Sequence, residues 1–363
     1  MELIKESLTF DDILIEPKYS EILPAETNLS QKLSKKITLN LPFLSAAMDT
    51  VTEGKMAMMM ADLGGLGIIH RNFKIEDQIR EVKKVKKKNL LVGAAVGTSQ
   101  ENLLRAKKLL DSGVDIIVVD TAHGHSKKVL NIVEKIKRLS SQVPLCAGNI
   151  ATGQAALRLY NAGSDILKVG IGPGSICTTR MVAGIGVPQI TAIMNVKSAL
   201  GKRKIKIISD GGIKFSGDLV KALAAGADVI MMGSIFAGTE ESPGRKFKIK
   251  NKFFKTYRGM GSRGAMSSGS SDRYFQKNFS DKSKFIPEGV ESRVIYKGSV
   301  KKIMHQLQGG LRSSMGYIGA KEIKDIQKNA KFVKITKAGF YESMVHSVII
   351  TGSAENYKLW KKF

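Results

Sequence analysis

Cys177 is one of only two cysteines in the chain, and it ends a turn that reads Gly170-Ile-Gly-Pro-Gly-Ser-Ile-Cys177-Thr-Thr-Arg180. Glycines at 170, 172 and 174 let backbone approach a bound molecule and aim several N–H groups at it, and Arg180 is close enough in sequence to favour a thiolate. The chemistry open to such a group is nucleophilic attack by sulfur. On this stretch alone a structural cysteine is equally compatible.

Other residue patterns could serve a site. Ser209-Asp210-Gly211-Gly212 and Gly233-Ser234 each follow a short apolar run, where glycine backbone and helix N-termini suit an anion such as phosphate. Asp120-Thr121-Ala122-His123-Gly124-His125 offers a carboxylate and two imidazoles. The histidine pair could bind metal, but no third ligand has suitable spacing, so hydrogen-bonding or structural roles are favoured. Gly259-Met-Gly261-Ser-Arg-Gly264 matches G-x-G-x-x-G. No apolar strand is read before it and Ser267-Ser-Gly-Ser-Ser follows where a helix is needed, so a Rossmann reading is rejected.

The elements that must carry these residues announce themselves through a recurring junction. Ser112-Gly113-Val114-Asp115, Ala162-Gly163-Ser164-Asp165 and Ala225-Gly226-Ala227-Asp228 each end a helical pattern with glycine and lead into a strand with few polar residues, as expected of parallel strands buried on both faces. Strands are expected at Phe43–Ala46, Leu66–Ile69, Leu91–Ala95, Ile116–Val119, Leu145–Ala147, Ile166–Val169, Ile205–Ser209 and Val229–Met232. Helices are expected at Glu53–Leu63, Ile75–Lys87, Glu101–Leu110, Lys127–Leu139, Gly153–Tyr160, Gln189–Leu200 and Ser216–Ala224. Thr50-x-x-Glu53 and Thr98-x-x-Glu101 have capping-box spacing. About eight strand–helix units predict an α/β fold, a (β/α)8 TIM barrel whose C-terminal strand ends carry the chemistry. The methionines at 56, 58, 59 and 60 are then packing, and Cys146 is a buried strand residue. From Thr239 to Gly298 the alternation stops, and this insertion after the eighth strand is expected to be an active-site lid.

Composition limits the alternatives. With 363 residues, 43% hydrophobic and 25% charged, the chain can bury a large core as one big α/β domain or two ordinary ones. Two cysteines argue against a disulfide scaffold, the amino terminus has no apolar signal region, and no run approaches a membrane span, so a soluble, cytoplasmic protein is expected. The formal charge of +26 could reflect nucleic-acid binding, but no aromatic-interleaved basic motif is read, and lysines spread over solvated helix faces are preferred. Lys83, Lys84, Lys86, Lys87 and Lys88, for example, end one helix where cations suit the dipole.

Taken together, Gly-Ile-Gly-Pro-Gly-Ser-Ile-Cys-Thr-Thr-Arg at 170–180, Ser-Asp-Gly-Gly-Ile at 209–213, Tyr-Arg-Gly-Met-Gly-Ser at 257–262, Ser-Ser-Asp-Arg-Tyr-Phe at 270–275 and Pro-Glu-Gly at 287–289 resemble inosine-5′-monophosphate (IMP) dehydrogenase. The resemblance runs from Leu8-Thr-Phe-Asp-Asp to Glu342-Ser-Met-Val-His. One departure stands out: the family usually inserts two regulatory CBS repeats after the second barrel helix, whereas here Lys88-Asn89 runs straight into Leu90, giving a single catalytic domain over 1–363.

The resemblance implies NAD-dependent oxidation of IMP to xanthosine 5′-monophosphate, with Cys177 as nucleophile, Arg273 as an unusual general base beside Tyr274, and Thr179 helping to hold the attacking water. It implies IMP contacts at Ser175, Asp210, Gly211, Gly212, Gly233, Ser234, Tyr257, Arg258, Gly259, Met260, Gly261 and Glu288, and NAD contacts at Asp120, Thr121, Gly170, Ile171 and Gly172. It further implies K⁺ held by carbonyls of Gly172, Gly174 and Cys177 and, from a neighbouring subunit of a homotetramer, Glu342, Ser343 and Met344. The rivals are GMP reductase, which shares the barrel and cysteine loop but has no pair equivalent to Arg273-Tyr274, and a basic nucleic-acid-binding protein on a barrel scaffold.

Overall fold

The computed structural model of the chain describes residues 6–274, 276, 281–352 and 357. Eight strands close into a parallel barrel: β1 Phe43–Ser45, β2 Leu66–Ile69, β3 Gly93–Val96, β4 Ile116–Asp120, β5 Leu145–Ile150, β6 Ile166–Val169, β7 Lys206–Asp210 and β8 Val229–Met232. Each pairs with its neighbours in the chain, and β8 closes onto β1 through Ile230 opposite Phe43. The helices between them are α1 Gly54–Asp62, α2 Ile75–Lys86, α3 Gln100–Asp111, α4 Lys127–Leu139, α5 Gly153–Asn161, α6 Gln189–Leu200 and α7 Ser216–Ala224, with α8 Val300–Tyr317 packed on α7. The expected strands and helices are all present, with ends moved by up to three residues. The capping boxes are not: Glu53 and Ser99 are the N-cap residues of α1 and α3 and neither side chain caps. The Thr50 hydroxyl instead accepts from the Arg258 N–H.

The repeated Gly-x-Asp junction has a mechanical reason. Asp115, Asp165 and Asp228 each stand one residue before a strand and accept from a backbone N–H at the start of the preceding strand, Val92, Leu145 and Ile207 respectively, at 2.8 to 2.9 Å. Each carboxylate also pairs with a lysine, Lys86, Lys137 or Lys206. The aspartates thus pin neighbouring strands together at the bottom of the barrel and neutralise part of the lysine excess. Asp228 carries most, because it also accepts from Gln31 Nε2 at 3.0 Å. Asp228→Ala should cost about 1–3 kcal/mol for its lost charge-assisted bonds, seen as a lower thermal midpoint with the active site intact.

Strand alternation sorts the core into two shells. Ile116, Val118, Cys146, Ile166, Ile208, Val229 and Met231 fill the barrel interior, while the alternate residues, such as Ile117, Val119, Leu167 and Ile207, face the helices. The same parity carries Asp120, Lys168 and Asp210 into the uppermost interior layer, where the strands end. Met56 and Met60 are fully buried against this frame, as packing residues should be.

The insertion after β8 is more regular than expected. It contains a three-stranded antiparallel sheet, β9 Lys246–Ile249, β10 Lys252–Arg258 and β11 Glu291–Ile295. A strand therefore does precede Gly259, and short helical turns follow it. The strand is antiparallel and no βαβ unit surrounds it, so the rejection of a Rossmann site stands on different grounds. Basic and aromatic residues do alternate here, but the Lys246 ammonium sits 3.7 Å from the Tyr296 ring centroid and 5.2 Å from that of Phe253, so these rings are engaged within the sheet. No helix among the described residues is long and apolar enough to cross a membrane.

Candidate active site

A cavity of about 1470 Å³ opens over the C-terminal ends of the strands. Single small-ligand sites typically measure about 300–1,000 Å³, so this one exceeds what one small ligand needs. The barrel's top layer forms its floor. Lys168, whose side chain is 2% exposed, lies between Asp120 Oδ1 and Asp210 Oδ2, each 2.8 Å from its ammonium. Asn149 takes a third place on the ammonium through Oδ1 and donates from Nδ2 to Asp210 at 2.8 Å. A buried lysine facing two carboxylates offsets its desolvation and fixes both acids in place.

The cysteine turn rises at one side of this floor. Gly170 has φ +151°, and a Cβ there would fall 2.1 Å from the Asp210 carbonyl; Gly172 has φ +78° with Arg180 packed against it. No other residue fits either position. Cys177 is half-buried and lies 3.2 Å from the Thr179 hydroxyl through its sulfur. A second segment clamps the turn, because Thr178 N–H donates to Glu288 O and Val290 N–H to Ile176 O, each at 3.0 Å. The Arg180 guanidinium donates to the carbonyls of Ile171 and Val187, so it braces the loop. Burial lowers its pKa, while its interaction with Cys177 acts to raise it.

Across the cavity, Gly211 and Gly212 have φ +90° and +85°, and Gly233 leads into the helical turn Ser234–Ala237. Tyr257 reaches the same corner from β10. Burial pushes its phenol up, against a hydrogen bond with Ser175. Its neutral hydroxyl suits donation to an anion held by these loops.

The insertion after β8 brings the remaining groups. Arg273 and Tyr274 end the helical turn Ser271–Tyr274. The Arg273 guanidinium forms a close ion pair with Asp120 Oδ2, and its carbonyl accepts from Ala122 N–H at 3.2 Å. Burial pulls the Arg273 pKa down from the ordinary arginine range, while Tyr274 acts to raise it. Burial raises the Tyr274 phenol, and Arg273 acts to lower it. The Tyr274 ring covers Gly261 so closely that a Cβ there would fall 2.6 Å from Cζ.

Most of the expected site residues therefore line one cavity, among them Cys177, Thr179, Ser175, Asp210, Gly233, Met260, Arg273, Tyr274 and Glu288. Others lie outside it. Thr121 is 2% exposed and donates to the Gly148 carbonyl. Arg258 pairs with Asp49 at 2.6 Å. Glu342 ends the helix Lys337–Glu342, which packs on Phe10–Asp12, with Ser343 and Met344 just beyond it. Phe275 lies outside the described residues. His123 and His125 stack edge to face at 6.3 Å, burial lowers the His125 pKa, and no group of three His, Cys, Asp or Glu among the described residues could hold a metal. Lys168 and Asn149 were missed by the sequence reading. The available signal was a lone lysine inside an apolar strand at the inward parity of Asp120 and Asp210.

Residues 7–346 match the IMP dehydrogenase / GMP reductase domain. The chain is 48% identical to inosine-5′-monophosphate dehydrogenase of Cryptosporidium parvum over 98% of both chains, and 46% identical to that of Borreliella burgdorferi over 96% of this chain and 98% of the relative. It is 43% identical to the enzyme of the same name from Aquifex aeolicus, over 98% of both chains. That last alignment spans 483 positions against 363 residues here, so more than a hundred positions of the relative have no counterpart in this chain.

Proposed function

The chain belongs to the IMP dehydrogenase / GMP reductase family, and we propose that it oxidises IMP to xanthosine 5′-monophosphate with NAD as hydride acceptor, a step toward guanine nucleotides. The observation that carries this reading is the convergence of Cys177 with the pair Arg273-Tyr274 on one cavity. GMP reductase is disfavoured by that pair, which such enzymes lack. The relatives named above are all dehydrogenases.

The glycine loops 211–212 and 233–234, with Tyr257, hold the 5′-phosphate; Asp210 holds the ribose hydroxyls; Glu288 meets the base edge. This sets C2 of hypoxanthine over the Cys177 sulfur, which forms the new C2–S bond. The C2 hydrogen departs with its electron pair. NAD, when bound, would supply the acceptor for that hydride, and the residues that would receive its nicotinamide ribose and ring are Asp120 and the backbone of Gly170 to Gly172, which line the cavity. A thioimidate remains on Cys177.

Once NADH has left, the lid occupies the vacated space, and the Arg273–Asp120 contact is the arrangement that closure produces. Asp120 thus serves twice, first toward a ribose and then toward a guanidinium. Water held near Thr179 adds to C2, Arg273 takes its proton, and the C2–S bond breaks to release product and free sulfur. Arginine is an unusual base, and burial is what brings its pKa toward that use. The test is direct: NADH absorbance on mixing the protein with IMP and NAD should rise, and no rise under any salt condition would sink the assignment.

K⁺ fits the turn because carbonyl oxygens of Gly172, Gly174 and Cys177 are hard, uncharged donors. Glu342 to Met344 sit on an exposed helix end, where a neighbouring subunit of a tetramer could receive them. K⁺ should raise turnover above that in a bulky organic cation at matched ionic strength, and deleting the chain from Gly339 onward should remove the difference. Equal rates in both cations would defeat the K⁺ site and leave the reaction standing.

A further inference from the structure

We propose that the ion pair between Arg71 and Asp272 is a latch that sets the register of the closed lid, which makes Arg71 a positioning residue for Arg273. The inference rests on the role given to Arg273 above. Arg71 stands two residues beyond β2, with its side chain 6% exposed. Its Nη1 donates to both carboxylate oxygens of Asp272, at 2.7 and 3.0 Å, and the Asp272 side chain is 15% exposed. Asp272 immediately precedes Arg273 on the lid.

The lid therefore presents a negative and a positive side chain in succession, and the barrel meets them with Arg71 and Asp120. A slip of one residue would set Arg273 against Arg71 in one direction or Asp272 against Asp120 in the other, a like-charged contact in a site shielded from water either way. Attraction in one register and repulsion in the next give a single seated position. Neighbouring Arg105 does not compete for the carboxylate, because its guanidinium donates to Gln78 Oε1 and to the Phe73 carbonyl, each at 2.9 Å. The space is also fitted to the pair. A Cβ at Gly97, beyond the end of β3, would fall 2.8 Å from Asp272 Oδ2 and 2.9 Å from Arg71 Nη1. Glycine here leaves room for the contact, and φ at this position lies outside the left-handed region, so alanine is tolerated by the backbone.

Only the step that needs the lid closed depends on such a latch. Hydride transfer takes place with the dinucleotide in the space the lid later fills. Removing Arg71 strands a desolvated carboxylate on the closed lid, so the closed state loses population and hydrolysis slows.

Arg71→Ala should leave the first-turnover burst of NADH intact while steady-state turnover falls about 10- to 100-fold, the scale of a charge-assisted bidentate contact. Arg71→Lys should recover part of the loss, since it keeps the charge without the fork. Gly97→Ala should reproduce the pattern without altering either charged group, and Arg71→Ala combined with Asp272→Ala should be no worse than the poorer single variant. Hydrogen exchange at residues 262–274 should quicken in Arg71→Ala while the barrel strands stay as in the parent. Unchanged steady-state rates in Arg71→Ala and Gly97→Ala would overturn the latch, as would a burst slowed in proportion to turnover. A parent protein with no IMP-dependent NADH formation would instead sink the dehydrogenase reading, and lid exchange would then decide the latch alone: accelerated exchange supports it and unaltered exchange overturns it.

Discussion

Cys177→Ala should abolish NADH formation while the protein still binds IMP. Loss of a covalent nucleophile costs about 10⁶-fold where it has been measured in a hydrolase, and no other thiol can substitute here. Cys146 is fully buried in β5 among apolar neighbours, and burial raises its thiol to about 12. It therefore stays protonated at neutral pH and out of reach. Affinity for IMP should survive because the proposed contacts to phosphate and ribose are Gly211, Gly212, Tyr257 and Asp210, none of which depends on the sulfur for its position. Calorimetry with IMP and absorbance at the NADH band separate the two properties. Turnover above background in the alanine variant would remove the covalent mechanism, whereas Cys146→Ala with full activity is the expected control.

The barrel was legible in the sequence because its strands are buried on both faces and each of the three glycine junctions ends a helix in the same way. What those junctions do was not legible. Asp115, Asp165 and Asp228 look like ordinary loop acids until the neighbouring strand's N–H group and lysine are seen beside them. The cysteine turn could be read because its chemistry is local, packed into eleven consecutive residues. Lys168 could not, since its meaning lies in Asp120 and Asp210, 48 and 42 residues away in the chain. Strand parity would have found it: all three occupy inward positions at strand ends. The insertion's sheet was hidden for a different reason. Lys246 to Arg258 is too charged to read as a buried strand, and it forms two partly exposed strands that pair antiparallel with each other.

On the proposed mechanism that floor also serves the second half of the reaction. Asp120 is held on one oxygen by Lys168 and reached on the other by Arg273, so Lys168 alone is enough to hold it for the first half. Arg273→Ala should consequently leave the first hydride transfer at full speed. A burst equal to the enzyme concentration should appear, followed by a stall at hydrolysis, with steady turnover down by about 10²–10⁴-fold, the contribution of a general base. The covalent adduct on Cys177 should accumulate and be detectable by mass spectrometry after quenching. Arg273→Lys should not restore the rate, because an ammonium on a flexible stem lacks the planar fork that meets Asp120. Raising the pH should speed the alanine variant as hydroxide substitutes for the missing base, which a purely structural role for Arg273 would not produce. Loss of the burst with steady turnover spared would reverse the assignment, placing Arg273 in hydride transfer and leaving hydrolysis to another group.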